Sequence, residues 1–292
     1  MSLFTGTGVA MVTAFSKNGL NLDAQGKIID HIIDGGCEAL FVCGTTGEPC
    51  TMSQQEQEDL IAFSIEKTAK RVPVFVGSGG NDTAESIRFS KIASDLGADG
   101  LMLVTPYYNK CTQKGAVAHF GAIADAVNLP IVVYNVPYRT GFNLLPNSVA
   151  ELTKFKNIRA VKEASGNVEQ MGEIISLTRN KIDLYSGDDA LTLPAIAIGA
   201  KGGISVAGNA APKITSDCTR AALKGDYKTA QELYFKLVPF IKALFAETSP
   251  VPIKYAMRKL GFDAGLPRQP LLDIERENAV KMDAALKALG LV

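Results

Sequence analysis

The chain has 292 residues, 47% of them hydrophobic, and can bury a large core as one domain or two. Its 30 basic and 30 acidic residues cancel, with no basic stripe, which argues against nucleic acid or an anionic membrane surface as a partner. The five cysteines, Cys37, Cys43, Cys50, Cys111 and Cys218, are odd in number and form no CxxC, a usage that fits free thiols in a reducing cytoplasm. No charged region leading into an apolar one opens the chain, so no signal peptide is expected, and no apolar stretch is long enough to span a bilayer.

The first β-like run covers residues 9–12, and an amphipathic stretch over 23–34 follows it. The run 40–43 opens into Gly44-Thr45-Thr46-Gly47-Glu48. A helix is expected over 53–70, with Ser53 and Glu56 as a capping box. After the run 74–76 comes Gly77-Ser78-Gly79-Gly80, which is neither a P-loop nor a GxGxxG turn, so no nucleotide cofactor is expected. The stretch 83–96 reads as a helix stopped by Gly97. Further runs lie at 101–104, 131–134, 158–162, 183–185 and 203–206. All are too short to be helices alone, and β-branched residues are frequent in them.

Eight βα units in about 225 residues predict an α/β chain folded as a parallel (β/α)8 TIM barrel. A doubly wound open sheet is the alternative, often with fewer strands and a ligand crevice at one switch point. Polar groups stand at many strand ends: Thr45, Thr46, Tyr107, Tyr134, Lys162, Asp188 and Ser205. In a barrel those ends share one mouth, which favours the barrel. Beyond about residue 225 the β signal stops, and 227–245, 252–260 and 275–289 read as helices. The expected organisation is a barrel over 1–224 and a C-terminal helical region over 225–292.

Chemistry concentrates on Lys162, which ends the run Ile158-Arg159-Ala160-Val161-Lys162. Alternation puts it on the face of Ile158 and Ala160. If that face is the interior, the amine is desolvated, its pKa falls, and it becomes a nucleophile for carbonyl carbon. The alternative is a side chain that snorkels to solvent. Tyr134 either satisfies a buried hydrogen bond or relays protons to the amine, as imine formation requires. The Gly-Thr-Thr-Gly turn offers hydroxyls and backbone N–H groups to a carboxylate, and Glu48 bonds backbone amides or acts on a substrate. Arg139 is a carboxylate grip or a surface residue. Lys201-Gly202-Gly203-Ile204 binds an anion or forms a tight turn. Cys43 and Cys50 are expected to be buried packing residues. His31 and His119 lack ligand spacing, so no metal is expected.

Together these residues resemble the dihydrodipicolinate synthase family along essentially the whole chain. The likeness rests on Gly44-Thr45-Thr46-Gly47-Glu48, Thr105-Pro106-Tyr107-Tyr108-Asn109, Tyr134-Asn135-Val136-Pro137, Arg139-Thr140-Gly141 and Val161-Lys162-Glu163-Ala164-Ser165-Gly166-Asn167. The first and last are shared in looser form by other pyruvate-dependent aldolases. The resemblance implies a lyase of the diaminopimelate route to lysine, condensing pyruvate with aspartate semialdehyde without a cofactor. Lys162 would form the imine, and Tyr134, Thr45 and Tyr108 would relay protons. Thr46 and the backbone around Ile204 would hold pyruvate's carboxylate, with Arg139 steadying the second substrate. Tyr108 would enter from a neighbouring subunit, which implies a homodimer or a homotetramer built as a dimer of dimers. Asn81, Glu85 and Tyr107 match a lysine-effector site, whereas Cys50, Gln54 and Gln57 depart from it. Gly208 stands where a larger residue is common. A sugar-acid aldolase, a non-catalytic barrel that senses a small acid and a phosphate-binding isomerase are the competing readings.

Overall fold

The eight short apolar runs are the strands of a closed parallel barrel, in a computed structural model that describes residues 2–179 and 181–292. They are β1 (Gly6–Ala10), β2 (Ala39–Val42), β3 (Val74–Gly77), β4 (Gly100–Val104), β5 (Ile131–Asn135), β6 (Ile158–Glu163), β7 (Asp183–Ser186) and β8 (Gly202–Ser205). They follow one another around the barrel in sequence order, as a (β/α)8 chain does and an open doubly wound sheet does not. The intervening helices are α1 (Leu22–Asp34), α2 (Gln54–Thr68), α3 (Thr83–Asp95), α4 (Gln113–Ala126), the one-turn α5 (Pro137–Thr140), α6 (Pro146–Leu152), α7 (Val168–Thr178) and α8 (Thr192–Ala197). After β8 come α9 (Pro212–Leu223), α10 (Tyr227–Leu244), α11 (Val251–Lys259) and α12 (Arg276–Ala288).

Local chemistry sets these boundaries. The side chains of Asn21, Ser53, Asp82, Thr112, Asn167 and Asp226 each accept a backbone N–H from the first turn of their helix. Ser53 and Glu56 form the reciprocal capping box. Gly97, with φ of 92°, follows α3 in a conformation costly to any residue with a Cβ. The first strand ends earlier than its apolar run suggests. Val12 donates its N–H to Asn209 Oδ1 at 3.0 Å, and its carbonyl accepts from Gln25 Nε2 at 3.2 Å. Those side chains take over the groups that would otherwise extend the ladder.

Two compact units are distinguishable, one of Met1–Thr5 and Phe75–Ile204, the other of Gly6–Val74 and Ser205–Val292. In the first, the strands from β3 to β8 pair in an unbroken parallel series. Phe4 stacks on Tyr185 at 4.2 Å between ring centroids, and the Tyr185 hydroxyl donates to Phe4 O at 2.6 Å. In the second, β1 pairs with β2, and Arg220 on α9 binds Glu38 at 2.9 Å, one residue before β2. No helix among the described residues is long and apolar enough to cross a membrane.

Candidate active site

Lys162 is 5% exposed and Tyr134 equally so, on adjacent strands. Their alignment depends on a local irregularity. Ile131 pairs with Ile158, but Val132 pairs with Ala160, so Arg159 is an extra residue in β6. From there Val133 faces Val161, Tyr134 faces Lys162 and Asn135 faces Glu163. Without the bulge, Lys162 would align with Asn135 instead. As built, the Lys162 Nζ lies 4.2 Å from the centroid of the Tyr134 ring.

The opposite face of the same two strands is pinned by a buried amide–carboxylate network. Asn135 Nδ2 donates to Glu163 Oε2 at 2.9 Å and to Asn143 Oδ1 at 2.8 Å. The Ser165 N–H donates to Glu163 Oε1 at 2.7 Å, and Gln170 Nε2 on α7 to Oε2 at 3.2 Å. Asn135 Oδ1 accepts from Leu144 N at 2.9 Å, tying down the segment that carries Arg139. Strand alternation thus sends Asn135 and Glu163 outward and Tyr134 and Lys162 inward.

Burial drives the chemistry of the amine. Desolvation lowers the pKa of Lys162 to about 7, opposed by the charge of Asp189 and reinforced by that of Arg139. An amine with that pKa is substantially neutral at neutral pH and nucleophilic. Gly187 leaves room for it, since a Cβ there would stand 3.1 Å from Lys162 Cε and 2.7 Å from Ala164 Cβ. Sequence inspection singled out Asp188, but its carboxylate accepts the Ala190 N–H at 2.8 Å and caps a turn. Asp189, 8% exposed, is the carboxylate that acts on Lys162. The Gly187-Asp188-Asp189 triplet at a strand end is the only sequence signal for it.

The remaining expected residues sit as follows. Thr45 and Thr46 lie in the 3-10 turn Thr45–Gly47, two residues beyond the end of β2, Thr46 buried and Thr45 half-buried. Thr13 Oγ1 donates to Gly47 O at 2.6 Å and supports that turn. Glu48 bonds a backbone amide, Arg268 N at 2.8 Å, and a buried lysine, Lys254, at 2.9 Å, a partner that sequence inspection did not find. Ile204 is buried within β8. Gly203 packs on Thr192, where a Cβ would come within 2.6 Å of the hydroxyl, which explains that glycine by packing. Arg139 is half-buried on α5, its Nε donating to the Tyr138 hydroxyl at 3.1 Å. Tyr108 is 91% exposed, with φ of 69°.

Five of the six effector candidates make contacts within their own unit. Asn81 Nδ2 donates to Tyr107 O at 3.2 Å, and Glu85 pairs with Arg88. Gln57 Nε2 donates to Pro49 O at 3.1 Å, and Gln54 bonds Glu58 within α2. Cys50 corrects an expectation: it is exposed, because it lies in the 3-10 turn Pro49–Thr51 rather than in a strand. Cys43 is buried, as expected, and its thiol is pushed up to about 12 by desolvation.

The Dihydrodipicolinate synthetase family model matches residues 3–289. The chain is 46% identical over 292 residues to the 4-hydroxy-tetrahydrodipicolinate synthase of Caldicellulosiruptor bescii, covering 100% of this chain and 99% of that one. It is similar to the crystal structure of dihydrodipicolinate synthase from Aquifex aeolicus, with a TM-score of 0.96 and 40% identity over 99% of each chain. The structure from Cyanidioschyzon merolae with lysine bound matches with a TM-score of 0.97 and 36% identity over 100% of both chains.

Proposed function

The chain belongs to the dihydrodipicolinate synthetase family, and from that premise we propose that it condenses pyruvate with L-aspartate 4-semialdehyde to 4-hydroxy-tetrahydrodipicolinate, a lyase step of lysine biosynthesis. The observation that carries the reading is the buried Lys162 amine, with a pKa near 7, beside Tyr134. Lys162 Nζ adds to the ketone carbon of pyruvate, and the carbinolamine loses water to give an imine. Removal of a methyl proton leaves an enamine, whose carbon attacks the semialdehyde's carbonyl. The amine of the second substrate then adds to the imine carbon, closes the ring and releases Lys162.

The roles within this scheme are proposals. Tyr134, Thr45 and Tyr108 move protons on and off the carbinolamine and the enamine. Thr46 and the backbone at Ile204 hold the carboxylate of pyruvate, and Arg139 takes that of the semialdehyde. The exposure of Tyr108 supports its service in a neighbouring copy, within a homotetramer assembled as a dimer of dimers. Five free thiols fit a cytoplasmic setting. For control by lysine we carry over Asn81, Glu85, Tyr107, Cys50, Gln54 and Gln57 as effector-site residues.

Borohydride reduction in the presence of pyruvate tests the reading. The expected result is one adduct, mapped by mass spectrometry to Lys162, together with turnover of aspartate semialdehyde. An adduct on another lysine, or none, contradicts it. Turnover of a sugar acid in place of the semialdehyde would move the protein to the wider aldolase class.

A further inference from the structure

The proposed mechanism leaves unused a buried ion pair at the end of the Gly44–Glu48 turn. Glu48 is 5% exposed and Lys254, on α11, not at all. Lys254 Nζ donates to Glu48 Oε1 at 2.9 Å and to Leu266 O at 3.0 Å. The other carboxylate oxygen accepts the Arg268 N–H at 2.8 Å. Both cations rest on the Phe15 ring, Lys254 Nζ at 4.2 Å from its centroid and Arg268 Cζ at 4.1 Å. Arg268 also donates to Thr51 O at 2.9 Å and to Glu56 Oε2 at 2.9 Å.

Glu48 is itself strained, with φ of 57° in the left-handed region. Its N–H donates to Thr45 O at 3.2 Å, so its backbone closes the turn that presents Thr45 and Thr46. A buried ion pair is a weak source of stability, since apolar residues of similar volume often serve as well. Its distinct property is geometric, because two charges and their hydrogen bonds allow one arrangement where an apolar contact allows several.

We propose that Lys254 is a positioning residue for the reaction: through Glu48 it holds the Thr45–Thr46 turn in a single geometry, so that α11 tunes the grip on pyruvate without touching it. The inference rests on the substrate-binding and proton-relay roles given above to Thr46 and Thr45. A turn displaced by a fraction of an ångström is expected to weaken pyruvate capture by between about ten- and a hundredfold.

The test compares Lys254→Met with Glu48→Gln/Lys254→Met, reading the thermal midpoint and the KM for pyruvate in parallel. The single variant leaves Glu48 buried without its partner, and both its midpoint and its pyruvate affinity should fall. The double variant removes both charges. Its midpoint should recover while its KM for pyruvate stays raised by tenfold or more. Recovery of both, or a wild-type KM in either folded variant, overturns the proposal, because the pair would then be structural only. If neither variant folds, Glu48→Gln decides: it keeps the side chain's shape and removes the charge that Lys254 holds, so the KM for pyruvate should rise, and a wild-type value overturns the proposal. Borohydride trapping on the unmodified enzyme separates this outcome from failure of the functional reading, which predicts the Lys162 adduct whatever Lys254 does.

Discussion

Burial and two neighbouring charges together set the proton affinity of Lys162, whose pKa falls to about 7. Burial favours the neutral amine, Arg139 favours it further, and Asp189 favours the ammonium. The neutral form is the nucleophile, so kcat/KM for pyruvate is expected to rise with pH through about 7 and to fall on the acid side. Asp189→Asn removes the only one of these influences that holds the proton. The acid limb should therefore move to lower pH, and a shift upward or none in a full pH–rate profile contradicts the assignment. Tyr134→Phe keeps the ring against the Lys162 amine but loses the hydroxyl. Turnover should fall by roughly 10²–10⁴ with the thermal midpoint little changed, as for a positioned acid–base group. Near-wild-type turnover in a folded variant would make Tyr134 a packing residue.

At the level of elements, β5 and β6 act as a unit. The bulge at Arg159 sets Lys162 opposite Tyr134, and the next register pair, Asn135 and Glu163, locks the strands from the other face. Glu163 accepts from Asn135, Ser165 and Gln170 in a site with no solvent exposure. Glu163→Ala would leave the Ser165 N–H without its acceptor and cost Asn135 and Gln170 one acceptor each, their bonds to Asn143 remaining, at about 1–3 kcal/mol. The urea midpoint should drop accordingly, and an unchanged midpoint would show that the donors find other partners. The 3-10 turn after β2 and the one-turn α5 after β5 are the corresponding devices for Thr45, Thr46 and Arg139. Two residues separate the first from its strand and one separates the second, which leaves the chain little freedom to reorient.

For the whole molecule, the proposed trans-acting role of Tyr108 has a direct test. Tyr108→Phe and Lys162→Arg are each expected to be nearly inactive, since a guanidinium stays protonated and cannot form the imine. In a mixed dimer, one of the two sites receives an intact lysine from one chain and an intact tyrosine from the other. Random subunit exchange should therefore restore activity to about a quarter of the unmodified level. No recovery after verified exchange rules the role out. Lysine control belongs to the same scale. Gln57 already spends its amide on Pro49 O and Gln54 on Glu58, so neither amide can turn to a bound lysine without breaking its own bond. Half-inhibition is expected at or above about 1 mM lysine, the range of a weak site. Strong inhibition well below that, in a steady-state titration with both substrates near KM, would show an intact effector site. The helical region proposed from residue 225 onward enters function through α11, whose Lys254 is the partner of Glu48.

The sequence alone determined whatever depends on neighbours a few residues apart. Apolar runs marked the eight barrel strands to within a few residues, and Ser53 with Glu56 marked the start of α2, because periodicity and capping are local. The placement of Lys162 on the face of Ala160 followed from alternation, and the lowering of its pKa from the desolvation expected if that face is the interior. Exposure of Cys50 was not legible, since a 3-10 turn has no apolar rhythm to read. Only the tertiary structure decided which residues meet. The bulge at Arg159 sets the alignment of Lys162 with Tyr134, and a strand's own pattern does not reveal its register against a neighbour. Asp189 acts on Lys162 from the end of the next strand, and Lys254 reaches Glu48 across 206 residues of chain. Such pairings are products of packing: their energy depends on burial and separation in space, and neither quantity is written in the spacing of residues along the chain.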